Sequence, residues 1–378
     1  MLFDETQHLF AATVRAFARE QLKPHYQRWE NEPVTSDLIG EVANLGAMGL
    51  LIPAEYGGAD AGYVEAGIAA EELSRGDFNA NNLVQLAAIA SVALRRGATS
   101  ELKAEWLPQI ADGSVVPSLG LTEPDVGTDA GALTTKAEHH GDTWVISGEK
   151  ASITFAGYSQ ACLVFARTGG PGPSGISAFW VPLNDDGVTR QVYRSAGGSF
   201  TARGSLVFDE VAVPESYLVG DLNKGFALAM TSFDFNRAII ALGCIGTALE
   251  SIEETVAYTS SRHTFGQPLS SRQAITQQVA EHQSQLTAAR LTAYEALQLA
   301  DQGESHTALA AMAKWMGPKW AAEAVHACML LHGWAGYDKE LPFEQRLRDI
   351  IGLQVGDGTG EIMKAIVARD LYGVATHR

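Results

Sequence analysis

The stretch Leu353-Gln354-Val355-Gly356-Asp357-Gly358-Thr359-Gly360-Glu361-Ile362 lies near the C-terminus of the 378-residue chain. In it, two glycines bracket a single carboxylate, and a short apolar run precedes them. Glycine lets the backbone turn tightly and lets a ligand approach closely. An Asp held in such a turn can act as a base toward a docked molecule. An ordinary Gly-Asp-Gly turn between two helices has the same sequence pattern, so its interpretation depends on the rest of the chain.

The segments before this stretch are long and helical. Apolar residues at helical spacing predict extended helices over residues 225–258, 273–302 and 306–332, which suggests a four-helix bundle. The N-terminal residues 1–112 also predict helices, the last of them over residues 100–111. The two helical parts are separated by a region of a different kind.

Short apolar or alternating runs fill residues 113–224 and are separated by Gly, Pro and Asp, which is typical of a small antiparallel β-domain. The clearest runs are Thr143–Ser147, Ala161–Phe165, Ser177–Val181 and Leu206–Phe208. We therefore predict a mostly α-helical protein with a central β-domain. Its predicted domains are an N-terminal helical domain over 1–112, an antiparallel β-barrel or sandwich over 113–224, and a C-terminal four-helix bundle over 225–378.

The formal net charge of −17 argues against a nucleic-acid partner, because Lys and Arg drive phosphate binding. It argues equally against docking on an anionic membrane, and we predict no membrane span. Three cysteines, far apart in sequence, suggest reduced thiols in a cytoplasmic protein. The acidic N-terminus lacks the pattern of a signal peptide. No metal site is predicted.

Three further motifs carry residues suited to chemistry. Leu121–Asp129 supplies hydroxyls and a glycine that can expose backbone amides to an anion or a flavin edge. Gly148–Thr154 follows a predicted strand, and Ser261–Gly266 follows a long helix and contains an Arg suited to a pyrophosphate. Each motif alone could be a turn or a solvent-exposed helix end. Together, and in this order, they resemble the acyl-CoA dehydrogenase family of flavoproteins over nearly the whole chain.

The resemblance implies an acyl-CoA dehydrogenase fold, FAD as cofactor, an acyl-CoA substrate, a homotetramer and reoxidation by an electron-transfer flavoprotein. It implies Asp357 as the catalytic base, with the backbone N–H of Gly358 polarising the thioester oxygen. The implied FAD contacts are Leu121, Thr122, Gly127, Thr128, Ser152, Thr154 and Thr359, with Arg262, Thr264 and Phe265 reaching the FAD of a neighbouring subunit. Thr128 and Arg237 would lie near the thioester arm.

The chain departs from the family at the base itself, where Glu is usual and Asp357 stands. A minority of the family carries the base on the helix around Asn236, but an amide cannot serve. The helix expected to line the acyl pocket carries Asn81, Asn82 and Gln85, which disfavour a long alkyl tail because unpaired buried amides are costly. These amides could instead face the backbone or solvent.

The first hypothesis is therefore an acyl-CoA dehydrogenase for a short, branched or cyclic acyl group, such as a cyclohexane-carboxyl thioester. A substrate carried by an acyl carrier protein is a variant of it. An oxidase of the nitroalkane oxidase type, which uses Asp as its base, is the second hypothesis. The third is a flavin-binding relative that has lost catalysis.

Overall fold

The first helix begins where the Asp4 carboxylate accepts from the Gln7 amide and the Gln7 side chain returns a hydrogen bond to the Asp4 backbone, a capping box. The computed structural model describes residues 3–32 and 34–373. Six helices come first: α1 Glu5–Phe17, α2 Arg28–Asn31, α3 Ser36–Asn44, α4 Tyr63–Gly76, α5 Asn81–Gly97 and α6 Ser100–Ala111. The prediction for α6 is confirmed at both ends. At its N-terminus, the Thr99 hydroxyl accepts from the Leu102 amide and caps the first turn.

The central region forms an eight-stranded sheet. Its strands are β1 Pro117–Gly120, β2 Lys136–His140, β3 Thr143–Ile153, β4 Ala161–Arg167, β5 Ile176–Pro182, β6 Val188–Val192, β7 Gly204–Pro214 and β8 Leu218–Val219. Along the sheet the order is β6-β7-β3-β2-β4-β5-β8, with β1 paired to β4. The expectation of a purely antiparallel domain is wrong in one respect, because β4 pairs in parallel with both β1 and β2.

Strand β3 is longer than the run Thr143–Ser147 from which it was predicted. Beyond a register shift between Ile146 and Gly148, Gly148–Lys150 pair with β7, and Ile153 pairs with it after a second shift. The bulge re-aims the strand, and the sheet core on its apolar face includes the buried residues Ile146, Ile153 and Phe208. The second half of β3 thus reaches the segment that carries Ser152 and Thr154.

The chain returns to helices after β8. Helix α7 runs over Gly225–Ser261, a short hairpin follows as β9 His263–Thr264 and β10 Gln267–Pro268, and the remaining helices are α8 Gln273–Asp301, α9 Thr307–Leu331, α10 Trp334–Tyr337, α11 Phe343–Ile351 and α12 Gly360–Tyr372. Helix α9 packs against α8, α11 and α12. The mostly helical fold with a central sheet is confirmed.

Helix α7 corrects one expectation. We predicted no segment that could span a membrane, but α7 is long and apolar enough to do so by length and composition. In the folded protein, 78% of its apolar stretch is buried. Its packing needs small residues, since a Cβ on Gly246 would lie 2.1 Å from the Glu71 carbonyl oxygen of α4. A core helix accounts for its apolar composition.

The chain folds into two compact units that do not follow chain order. One comprises Met1–Asn31, Tyr63–Asn81 and Asp234–Arg378, and the other comprises Glu32–Gly62 and Asn82–Phe233. The first unit holds the Asp357 loop, and the second holds the sheet with the Thr122 and Thr154 segments.

Candidate active site

The loop that carries Asp357 joins α11 to α12. A 3₁₀ turn over Gly352–Gln354 leads into it, and Thr359 closes it by capping α12, with its hydroxyl accepting from the Ile362 amide at 3.4 Å. Asp357 and Gly358 both have positive φ, 54° and 101°. A left-handed residue that is not glycine is uncommon, and Asp is one of the few types that tolerate it. The loop thus holds the carboxylate in a conformation that few other residues would adopt.

The backbone of Gly358 favours glycine, because its φ of 101° is strained for any other residue. A Cβ there would also lie 2.6 Å from the terminal methyl of Met363, so that flexible side chain would have to move. Within the part of the chain that the structure describes, the Gly358 amide donates no backbone hydrogen bond. An unused amide directly beside a carboxylate can polarise a carbonyl whose neighbouring carbon loses a proton to that carboxylate.

Charged and polar groups of the same unit surround the Asp357 carboxylate. The amide of Asn236 on α7 donates to its Oδ2 at 3.5 Å, the outer limit of a hydrogen bond. Desolvation by surrounding protein raises the pKa of Asp357, and the charges of Lys314 and Arg237 oppose that rise. The residue is exposed to solvent, so protein surrounds the carboxylate without sealing it from water.

Lys314 on α9 is a central residue of this site that sequence reasoning missed. Its side chain is 1% exposed, and its ammonium donates to the carbonyl oxygens of Leu353 at 2.7 Å and Gly358 at 3.3 Å. Burial lowers the pKa of Lys314, and Asp357 opposes that shift. The available signal was one Lys within the apolar helical run Ala310–Trp315, since Lys is almost never fully buried without a partner.

Arg237, predicted to lie near the thioester arm, is buried on α7. Its Nη1 donates to Oδ1 of Asp234 at 2.6 Å, and the other oxygen of Asp234 accepts from the Thr307 hydroxyl at 2.8 Å. Burial lowers the pKa of Arg237, while Asp234 and Asp357 raise it. Its Nε is buried without a partner in the described chain. The guanidinium is therefore held by its ion pair with Asp234, and its buried Nε remains available as a donor.

In the sheet-containing unit, the Thr122 segment lies beside the end of β3. The Ala151 amide donates to the Thr122 carbonyl at 2.8 Å, so Leu121 and Thr122 lie beside the end of β3 that carries Ser152 and leads to Thr154. Ser152 has a φ of 61° and is exposed. Its hydroxyl accepts from Arg203 at 3.3 Å.

Gly127 and Thr128 lie in the exposed part of the same loop. Among the described residues, neither amide donates a backbone hydrogen bond, and a Cβ on Gly127 would meet no atom within 4 Å. Two adjacent unused amides can bind an anion. The loop can therefore hold a phosphate group.

A buried ion pair supports this segment, and sequence reasoning missed it as well. The Glu123 carboxylate accepts from the Lys150 ammonium at 2.8 Å, from the Thr135 amide at 2.8 Å, and from the amide and hydroxyl of Thr134 at 2.7 Å each. Lys150 is 0% exposed and also donates to the Leu121 carbonyl at 3.2 Å. The pair thereby ties the first residues of the loop to β3.

The two members of this pair respond differently to burial. Desolvation raises the pKa of Glu123, but hydrogen bonds from Lys150 and Thr135 outweigh it and hold that pKa at about 2. Desolvation lowers the pKa of Lys150, and Glu123 only partly opposes it. Both residues are at most 5% exposed, so burying the two charges is costly. The hydrogen bonds that both charged groups make offset this cost.

The predicted contacts of a neighbouring subunit lie on the β9–β10 hairpin. Phe265 and Gly266 form its two-residue turn with φ values of 53° and 77°, as a type I′ hairpin requires. Phe265 is 96% exposed, and the Arg272 guanidinium lies 5.9 Å from its ring centroid. Arg262 is exposed and Thr264 is partly buried. An aromatic displayed at a hairpin tip is available to a second molecule.

The amides predicted for the acyl pocket are placed differently from one another. Asn81 is fully buried, its Nδ2 donates to the Phe78 carbonyl, and its side chain packs against Gly243 of α7. It therefore shows the alternative in which the amide faces the backbone. Gln85 is 4% exposed and Asn82 is partly buried, both on α5. Their assignment to an acyl pocket stays a prediction.

Three family models match consecutive parts of the chain. They describe the N-terminal, middle and C-terminal domains of acyl-CoA dehydrogenases and match residues 4–114, 118–211 and 223–372. The chain belongs to the acyl-CoA dehydrogenase family. Members of this family bind FAD and are oxidoreductases acting on CH–CH bonds of acyl-CoA.

Individual relatives span the same length. The chain is 34% identical to the mitochondrial short-chain specific acyl-CoA dehydrogenase of Bos taurus, covering 97% of this chain and 90% of that protein. It is 31% identical to cyclohexane-1-carbonyl-CoA dehydrogenase of Geobacter metallireducens, covering 97% of each. Among solved structures, a glutaryl-CoA dehydrogenase of Mycobacterium smegmatis in complex with FADH2 matches with a TM-score of 0.94 and 29% identity, over 100% of this chain and 97% of that chain.

Proposed function

We propose that this acyl-CoA dehydrogenase family member catalyses the FAD-dependent α,β-dehydrogenation of a short, branched or cyclic acyl-CoA, with Asp357 as the base. The observation that carries the proposal is the Asp357 loop. In it a carboxylate with a raised pKa stands directly before a backbone amide that has no acceptor in the described chain. A base and a polarising donor on adjacent residues suit proton removal next to a thioester carbonyl.

The residues of the sheet unit support FAD as the cofactor. The unused amides of Gly127 and Thr128 suit a phosphate, and Thr122, Ser152 and Thr154 offer polar groups beside the end of β3. In the other unit, Arg262 and Thr264 would serve the same cofactor of a neighbouring subunit and Thr359 that of its own. When bound, FAD supplies the two-electron acceptor for the hydride that leaves the β-carbon.

The protein's own residues would handle the proton and the carbonyl. The Asp357 carboxylate removes the α-proton, and the Gly358 amide stabilises the negative charge that develops on the thioester oxygen. As the α-C–H bond breaks, its electron pair forms the Cα–Cβ double bond while hydride is lost from Cβ. The product is a 2-enoyl thioester, and the proton stays on Asp357. Arg237 and Thr128 would bind the thioester arm.

Three points support the proposed acyl group. Asp is one methylene shorter than the usual Glu, so the substrate must lie closer or differ in shape, and the relatives include short-chain and cyclohexane-1-carbonyl enzymes. Gln85 and Asn82 would make the acyl pocket polar. We also propose that the protein forms a homotetramer, is located in the cytoplasm and passes its electrons to an electron-transfer flavoprotein.

The test is an anaerobic reduction screen with purified FAD-loaded protein. Linear C4–C16, branched and cyclohexane-carboxyl CoA thioesters would be mixed with it and the flavin absorbance followed. We expect bleaching by short, branched or cyclic thioesters and little by C12–C16. Nitroalkanes and acyl carrier protein thioesters would be tested beside them. Bleaching by nitroalkanes, with oxygen consumption when the mixture is then aerated, would favour the oxidase, and bleaching only by acyl carrier protein thioesters would replace CoA as carrier. No bleaching by any substrate would favour a relative without catalysis.

A further inference from the structure

The base loop is fastened at both ends by one side chain. Lys314 reaches from α9 and donates to the carbonyls of Leu353, at the loop's start, and Gly358, directly after Asp357. These carbonyls are five positions apart in sequence, so a single ammonium group fixes the segment between them. Among the described residues outside regular helices and strands, no backbone amide donates to the carbonyl of Leu353 or to that of Gly358.

Burying this ammonium is unfavourable unless it is compensated. Within the described residues, Lys314 has no carboxylate within ion-pair distance, although Asp357 acts on it electrostatically. Its two hydrogen-bond partners are both loop carbonyls. A buried lysine with such partners is an expensive way to close a turn, which favours a role beyond stability.

The other charges near Asp357 are already engaged. Arg237 of α7 is ion-paired with Asp234, and Asp234 also accepts from Thr307. The Cys244 thiol, also on α7, is the remaining titratable group that acts on Lys314. The uncharged Asn236 amide touches the carboxylate itself. Of the two positive charges near Asp357, Lys314 is therefore the one whose position is set by hydrogen bonds to the loop.

We propose that Lys314 is a positioning residue for the proposed dehydrogenation. It holds the Leu353–Gly358 segment so that the Asp357 carboxylate and the Gly358 amide face the same substrate, and its charge keeps that carboxylate ionised. The inference rests on the proposed function for its catalytic meaning. Its structural content, a loop ordered and a carboxylate tuned by one ammonium, can be measured without any substrate.

The direction of the electrostatic effect follows from the charges. A nearby cation favours the ionised carboxylate, so removal of the Lys314 charge raises the pKa of Asp357. A base must be unprotonated to accept a proton. The acidic limb of the pH–rate profile therefore moves to higher pH when the charge is removed.

Three substitutions separate charge from hydrogen bonding. Lys314→Gln keeps a donor but removes the charge, Lys314→Met removes both, and Lys314→Arg keeps both. The matched control is Lys319→Met on the same helix, where Lys319 is half-exposed and paired with Glu323. All four variants would be purified as FAD-loaded protein.

The first measurement needs no substrate. Hydrogen–deuterium exchange reports the amides of Leu353–Gly358, and an infrared pH titration, read as the difference from the same protein carrying Asp357→Asn, reports the Asp357 carboxyl. We expect at least tenfold faster loop exchange in Lys314→Met, near-normal exchange in Lys314→Gln, and an Asp357 titration moved to higher pH in both. Lys314→Arg and Lys319→Met should match the parent. Loop exchange and titration unchanged in Lys314→Met and Lys314→Gln would overturn the proposal.

The second measurement uses the acyl-CoA found in the reduction screen. We expect Lys314→Met to lower kcat on the order of 100-fold, the scale of a small misplacement of a catalytic group. KM should change little, and the acidic limb should shift as the titration does. If Lys314→Met does not fold, Lys314→Gln tests the proposal alone. The proposal then requires near-normal loop exchange in this variant and an acidic limb of its pH–rate profile at higher pH. An altered loop and titration with no turnover in the parent protein would refute the proposed function and leave the loop assignment intact.

Discussion

Asp357 carries the chemistry proposed for this protein, and its environment determines how that chemistry should depend on pH. Because its pKa is raised above the ordinary Asp value by desolvation, protonation begins at a higher pH than for an exposed Asp. A base that protonates loses activity as the pH falls through its folded pKa. We expect kcat/KM to begin to fall at a higher pH than it would if the base were an exposed Asp.

The measurement for this expectation is the pH dependence of anaerobic flavin reduction at saturating and limiting acyl-CoA. An acidic limb at or below the ordinary Asp range would contradict it. The Arg237 and Lys314 charges limit the rise without abolishing it. The position of the limb therefore reports the balance between desolvation and those two cations.

The Glu123–Lys150 pair gives a stability prediction at the residue scale. Glu123→Gln leaves the Lys150 ammonium buried without its carboxylate, which typically costs about 3–5 kcal/mol. Glu323→Gln, which breaks the half-exposed Lys319–Glu323 pair, should cost less than about 0.5 kcal/mol. Urea unfolding of both variants measures the difference. Equal costs for the two would show that the buried pair contributes no more than a surface pair.

This pair also has a linkage consequence. The folded pKa of Glu123 is about 2, below its ordinary value of 4.5. Its contribution to stability is therefore present above the unfolded pKa and is lost as the pH falls through the folded one. The free energy of unfolding should fall between about pH 5 and pH 2, and Glu123→Gln should flatten that part of the curve.

Helix α7 depends on small residues where it crosses α4. Gly246→Val would force a side chain against the Glu71 carbonyl, where even a Cβ would lie at 2.1 Å. Overpacking of this kind costs about 1–3 kcal/mol or more. Gly40→Ala on α3 is the control, since a Cβ there meets no atom within 4 Å and Ala is favoured in helices. Thermal unfolding should show a lower Tm for Gly246→Val and an equal or higher one for Gly40→Ala.

The β9–β10 hairpin displays Phe265 without using it within the described chain, apart from its contact with Arg272. If this aromatic serves the FAD of a neighbouring subunit, Phe265→Ser should lower FAD occupancy while leaving the helical circular dichroism unchanged. The measurement is the flavin-to-protein absorbance ratio after dilution and gel filtration. Leu9→Ser, at a residue that is 71% exposed on α1, is the control. Full FAD occupancy in Phe265→Ser would contradict the role.

At the scale of the whole molecule, hydrophobic periodicity was enough to predict most helices. Helix α6 was predicted at both ends, and α8 and α9 within one residue. Their apolar faces and their capping residues are formed by residues close together in sequence. Helix α3 ends at Asn44, shortly before Gly46, which has a φ of 77°. Strand β3 was predicted too short because its second half is defined by pairing with the distant β7.

The candidate site was predictable where its residues are neighbours in sequence. Asp357, Gly358 and Thr359 form one turn, and the motif identified them together. Lys314 is distant in sequence from the loop it holds, and Glu123 is distant from Lys150. No local pattern connects such pairs, because their proximity arises from helix packing and strand pairing. The apolar run around Lys314 could have indicated that this lysine is buried, but not which loop it holds.

The assignment of Asp357 as the base of an FAD-dependent acyl-CoA dehydrogenase is tested most directly by one measurement. The protein and its Asp357→Asn variant, both loaded with FAD, would be mixed anaerobically with the acyl-CoA that best bleaches the parent, and the rate of flavin reduction followed by stopped flow. We expect the variant to bind FAD and acyl-CoA normally and to reduce the flavin at least about 100-fold more slowly. Reduction by the variant at the parent rate would contradict the assignment.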